Sequence, residues 1–223
     1  MWKRDKNWND WRWQLKNRIK TPEGLKNYFE NLSEDEKKGL EITYKSFPIA
    51  VTPYYLSLAD KRDPSCPIRR QIVPTYSEID PKVQVFCEPN ALNEESEIPH
   101  LTHRYPDRVL VTLTTMCPVY CRHCMRKRKV GKPEKAISEE EFSPIWDYIK
   151  KHPQIKEVLI SGGDPLVLSN EKLFHYIGEL KKIDHIEVIR IGTRTPVILP
   201  QRFYERAFKV FRKVFPHLDS NAL

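Results

Sequence analysis

No stretch of this chain is apolar for anything near the about 18 residues that cross a bilayer, so a membrane-spanning helix is excluded. The opening residues Met1-Trp2-Lys3-Arg4-Asp5-Lys6 lead into Asn7-Trp8-Asn9-Asp10-Trp11, with neither an apolar core nor a small-residue cleavage site. A secretory leader is therefore not expected, and the cytoplasm is the compartment the sequence implies. Short repeats and low-complexity tracts are missing too. The cysteines number 5, too few and too uneven for a disulfide scaffold in a chain of 223 residues.

What is present fits a soluble protein with a real core: 39% apolar and 30% charged residues, with a net charge of +8. Most of that charge is dispersed. Only Arg122, Arg126, Lys127, Arg128 and Lys129 form a compact basic run, and it overlaps the cysteines. A pocket for an anionic cofactor or a substrate carboxylate suits such a run at least as well as nucleic acid does.

The chain changes character along its length. Residues 1 to about 50 read as helical, with Thr21-Pro22 as N-cap and first helical residue and Ser33-x-x-Glu36 as a capping box. Trp2, Trp8, Trp11 and Trp13 crowd the first thirteen residues and are expected to anchor this arm by packing. From Phe47 to Pro106 prolines interrupt every candidate helix, which predicts an ordered wrap and not a core. These two stretches make a first unit, 1–106. After Asp107 strands alternate with helices: Val109–Thr115, Glu157–Ile160 and Ile186–Ile191 as strands, and helices between Ser138 and Lys151, near Asn170–Lys182 and near Gln201–Val214. The helix before Lys151 has two candidate starts, the capping box Ser138-x-x-Glu141 and the pair Ser143-Pro144. Three successive βα units over 107–223 predict an α/β fold with a parallel sheet.

In such folds the loops after the strands share one edge of the sheet and collect ligands there. All three are unusual here. The first carries Cys117-x3-Cys121-x2-Cys124, the second Ser161-Gly162-Gly163-Asp164-Pro165, the third Gly192-Thr193-Arg194-Thr195-Pro196. Soft thiolates at that spacing select an iron–sulfur cluster, zinc or copper(I). Zinc would need a fourth ligand, for which His123, Cys66 and Cys87 are the candidates. Three ligands on a four-iron cluster instead leave one iron open. His100, His103 and His123 read as hydrogen-bonding or surface histidines.

The stretch Cys117-Pro118-Val119-Tyr120-Cys121-Arg122-His123-Cys124 resembles the signature of the radical S-adenosylmethionine (SAM) superfamily. Trp8–Gln14, Thr52–Leu58, His103–Arg108, Cys121–Arg128 and Arg194–Val197 extend the resemblance to the lysine 2,3-aminomutase family along essentially the whole chain. The resemblance implies a partial (β/α) barrel with its first three βα units present, behind a helical N-terminal arm. It implies a [4Fe-4S] cluster on Cys117, Cys121 and Cys124, whose open iron chelates the amino and carboxylate groups of SAM. Reductive cleavage to methionine and a 5′-deoxyadenosyl radical is followed by removal of a β-hydrogen from an L-amino acid. The amine then migrates from C2 to C3 as an imine of pyridoxal phosphate (PLP).

By the same resemblance Gly162, Gly163 and Asp164 meet the methionyl amino group of SAM, and a bulky side chain at Gly163 is expected to weaken SAM binding without removing iron. Arg126 receives the substrate carboxylate, or is a solvated basic residue. Arg104, Tyr105 and Arg108 lie near PLP, with Arg108 alternatively a structural partner of Asp107. The family's PLP lysine and its two amine-gripping aspartates are expected beyond Leu223, so the chain reads as an N-terminal half. A flavodoxin or ferredoxin as electron donor, and a homo-oligomer at full length, are implied as well. Two competing readings are a radical SAM enzyme that modifies protein or RNA without PLP, and an inactive iron–sulfur or zinc fragment.

Overall fold

The computed structural model describes residues 5–84 and 98–204; Trp2, Cys87 and the greater part of the helix expected near Gln201–Val214 lie outside the described residues. One four-stranded sheet organises the second half of the chain. Strands β1 (Leu101–Tyr105), β2 (Arg108–Thr114), β3 (Glu157–Gly162) and β4 (Val188–Ile191) lie in the order β1-β2-β3-β4. The pairs β2/β3 and β3/β4 are parallel, whereas β1 runs antiparallel to β2. The sheet thus reaches back across residue 106 into the proline-rich stretch. Only Leu101 of β1 is buried, and the strand sits between Pro99 and Pro106, so it shows neither the alternation nor the flanks of a core strand.

Helices Glu139–Lys151 and Asn170–Leu180 make the crossovers. Val109, Val111 and Leu113 of β2 and Val158 and Ile160 of β3 point to the same side. There they pack on Phe142, Ile145 and Ile149 of the first helix and Leu173, Tyr176, Ile177 and Leu180 of the second. On the opposite face Leu110, Leu159 and Arg190 are half-buried or exposed, while Thr112, Thr114 and Ser161, nearer the strand ends that carry the loops, are buried. Parallel sheets in open α/β proteins carry helices on both faces, and a barrel carries them only outside. Among the described residues both crossover helices lie on one face, as in a partial barrel.

The first crossover helix begins at Ser138. Its Oγ accepts from the Glu141 N–H at 3.2 Å, and the Glu141 carboxylate accepts from the Ser138 N–H at 3.0 Å. Pro144 is tolerated inside because it lies on the exposed face, where the carbonyl it leaves unpartnered meets water.

The expectation that Phe47–Pro106 holds no core is overturned. Ile49, Val51, Tyr55, Leu56, Ile72 and Val73 are buried together with Leu25, Phe29 and Leu40 of the arm, and with Val119, Cys121 and Ile198 of the barrel. The prolines end helices without preventing burial. Pro53 opens the helical turn Pro53–Leu56, capped by Thr52, which leaves Tyr55 and Leu56 facing inward. Of the tryptophans Trp11 reaches the barrel, with the Arg202 guanidinium 4.5 Å from its ring, whereas Trp8 and Trp13 meet each other at 6.3 Å.

Candidate functional site

The loop that follows β2 is closed at its neck and held from below. Thr115 donates its N–H to Lys135 at 2.9 Å and accepts that of Gly131 at 2.9 Å. Inside this neck the Tyr120 N–H donates to the Ala50 carbonyl and the Arg122 N–H to the Gln71 carbonyl, both at 2.8 Å. The buried Arg122 side chain grips Glu78 through two bonds of 2.9 Å and reaches the carbonyls of Phe47 and Pro48. Lys127 meets the same Glu78 at 2.7 Å. The basic run is therefore split: Arg122 and Lys127 serve the loop's own architecture, while Arg126 lines the cavity beside the cysteines.

Cys117, Cys121 and Cys124 line one cavity of about 260 Å³, and the other two loops supply Gly162, Gly163, Asp164, Thr193 and Arg194 to the same wall. Burial pushes the Cys117 thiol well above its ordinary range, with Asp164 and the other two cysteines adding to the rise. Burial raises Cys121 as well, against the opposing pull of Arg194. Thiols in this state surrender their protons only to a partner that stabilises the thiolate.

Cys66 lies elsewhere. Its Sγ accepts the Asp60 N–H at 3.3 Å, and it does not line the cavity. His123 does line it, with Nε2 3.4 Å from Arg194 Nη1. His100 bonds Thr112 at 3.1 Å and His103 bonds Tyr148 at 2.8 Å, so both are engaged within the fold.

The second loop folds tightly on the first. Gly162 has φ +120, and the N–H groups of Gly163 and Asp164 donate to the carbonyls of Thr114 (2.6 Å) and Met116 (2.7 Å). Asp164 is 2% exposed, and its carboxylate accepts from the Thr193 hydroxyl (2.7 Å) and from the N–H groups of Arg194 (2.8 Å) and Leu166 (3.1 Å). Burial raises this carboxyl above its ordinary value despite those bonds. It pins the second loop to the third, a role that motif reading did not give it.

Arg194 is the functional-looking residue that motif reading passed over. Its Nη1 donates to Cys121 Sγ at 2.6 Å and its Nη2 to Gln71 Oε1 at 2.7 Å. Its loop stood out in the sequence, but nothing near Gln71 marked that residue.

Arg104, Tyr105 and Arg108 line a separate cavity of about 330 Å³ beside β2, with Leu110, Leu159 and Arg126. Arg126 thus borders both spaces, and its Nη1 lies 3.4 Å from Ser161 Oγ. Arg108 holds Asp107 through two bonds, at 2.9 and 3.1 Å. The Tyr105 ring lies 5.9 Å from the Arg104 guanidinium.

A one-sided barrel sheet with three cysteines in its first loop defines a class, and comparison agrees: the chain belongs to the radical SAM superfamily, whose profile matches residues 111–220. Within that class it is similar to the lysine 2,3-aminomutases over almost its whole length. A relative in Aquifex aeolicus is 51% identical over 94% of this chain and 56% of its own. The L-lysine 2,3-aminomutase of Clostridium subterminale is 45% identical over 95% of this chain and 51% of its own. The glutamate 2,3-aminomutase of Clostridioides difficile is 35% identical over 95% and 50%. The chain spans about half the length of the curated relatives it matches.

Proposed function

We propose that this chain carries the iron–sulfur and SAM-binding portion of a radical aminomutase that moves the amino group of an L-amino acid from C2 to C3. The observation that carries the reading is the meeting of three strand-end loops, with all three cysteines of the motif, on one cavity. Cys117, Cys121 and Cys124 would hold a [4Fe-4S] cluster, which with three protein ligands would keep a place open for SAM.

The donor set supports a cluster over zinc. Cys117, Cys121 and Cys124 line one cavity and Cys66 does not, so the soft donors gathered there are the three thiols of the motif, the set that leaves one iron of a four-iron cluster open. Once reduced, such a cluster supplies the electron that turns SAM into a source of carbon radicals.

The chain's own residues do the rest. Gly162 and Gly163 present backbone to the cavity, and Asp164 keeps that backbone in register with the third loop. Arg126, which borders both cavities, is assigned to the substrate carboxylate on the strength of that position and its charge. PLP is assigned to the second cavity, with Arg104 toward its phosphate and Tyr105 against its ring. Arg108 contributes charge from a fork already occupied by Asp107. A flavodoxin or ferredoxin donor, a homo-oligomeric whole enzyme and a cytoplasmic setting belong to the same reading. Among the described residues no helix is long and apolar enough to cross a membrane. Action on RNA is less well supported, because Glu78 neutralises two members of the basic run.

Anaerobic reconstitution tests the reading. About four irons per chain are expected, with 5′-deoxyadenosine formed from SAM on reduction. Cys117→Ala, Cys121→Ala and Cys124→Ala should each abolish the cluster, and Cys66→Ala should keep it. Zinc in place of iron, or a requirement for Cys66, would sink the assignment.

A further inference from the structure

Arg194 brings its guanidinium into hydrogen-bond contact with a cysteine sulfur of the motif, Nη1 donating to Cys121 Sγ at 2.6 Å. Its position is not incidental. The backbone N–H is fixed by Asp164 at 2.8 Å, and Nη2 is fixed by Gln71 Oε1 at 2.7 Å. Gln71 Oε1 in turn accepts the Tyr55 hydroxyl at 3.0 Å, and the Gln71 carbonyl holds the Arg122 N–H inside the cysteine loop. Arg194 is thus held at two points, its backbone by the second loop and its guanidinium by a Gln71 that is itself fixed. A guanidinium that merely covered the cavity would not need that clamp.

We propose that Arg194 is a positioning residue that sets the reduction potential of the cluster through Cys121. The inference rests on the cluster assignment made above. Reduction adds one electron to a cluster that three thiolates already make negative, and no bond is formed or broken. A cationic N–H donor at a ligand sulfur stabilises the more negative, reduced state more than the oxidised one, and so raises the potential.

The experiment is a spectroelectrochemical titration of the reconstituted 223-residue chain, with the electrode supplying the electron, alongside iron analysis. Arg194→Gln is expected to retain iron and to lower the ratio of reduced to oxidised cluster at a fixed applied potential by about tenfold, a shift of about 59 mV to more negative values for one electron. Arg194→Lys should lie between this variant and the parent. Gln71→Met, which frees the guanidinium but keeps its charge, should move the midpoint the same way by less. An Arg194→Gln chain that holds iron and titrates at the parental midpoint overturns the proposal. So does one that loses iron while Gln71→Met keeps both iron and the parental midpoint. A parent chain that takes up no iron overturns the cluster assignment instead.

Discussion

Gly163 shows how a single residue can be required for a reason other than the one its motif advertises. The Gly-Gly pair reads as room for a ligand, yet a Cβ on Gly163 would stand 2.1 Å from the Met116 carbonyl oxygen, and one on Gly162 would stand 2.4 Å from that of Thr114. The absent side chains first make room for the first loop, immediately before Cys117. Gly163→Val is therefore expected to cost about 3 kcal/mol in thermal unfolding and to reduce iron uptake along with SAM binding. That outcome differs from the selective loss of SAM which the motif alone implies. Gly192 is the control within the same site: a Cβ there meets nothing closer than 3.5 Å, so Gly192→Ala should stay within about 0.5 kcal/mol of the parent and keep its iron.

At the scale of elements, the arm and the cysteine loop are joined through Glu134. Arg18 pairs with it at 2.7 and 3.1 Å, Lys20 at 2.7 Å, and the Tyr120 hydroxyl donates to it, while Arg18 also reaches the Cys117 carbonyl. Burial alone would raise this carboxyl, but the bonds from Lys20, Tyr120 and Arg18 prevail and bring it from 4.5 to about 2. A carboxyl held below its ordinary value favours the folded state when ionised. Its contribution is complete above 4.5 and is lost as the pH falls toward about 2. Glu134→Gln should lower stability near neutrality by about 1–2 kcal/mol and flatten the acid limb of unfolding in that window, as circular dichroism against pH would show. Elements with local causes were the legible ones. The capping boxes at Ser33 and Ser138 and the three parallel strands stand where their residues put them. The antiparallel strand Leu101–Tyr105 escaped because edge position leaves it one buried residue, and the core role of residues 49–73 escaped because its partners are distant in sequence. The same distance hid Gln71, whose importance comes from Arg122 and Arg194 and not from any neighbour.

As a whole the molecule is two cores of different kinds. The core beneath the sheet joins residues of adjacent βα units, whereas the second joins Leu25 and Val51 to Val119, Cys121 and Ile198. The Thr52 hydroxyl donates to the Ile198 carbonyl at 3.0 Å across 146 residues, so the floor under the cysteine loop is complete only when the third loop is in place. A chain ended at residue 191 keeps every cysteine of the motif but lacks Arg194 and Ile198. Such a chain is expected to take up less than half the iron of the parent under identical reconstitution; equal iron would show that the floor is dispensable. Contacts across such spans form late, after the entropy of closing the intervening chain has been met. During synthesis the three thiols leave the ribosome some seventy residues before Ile198 does. On the cluster reading proposed above, full loading with iron and sulfide then comes only after translation has passed the third loop, and its moment is fixed by a residue that binds neither.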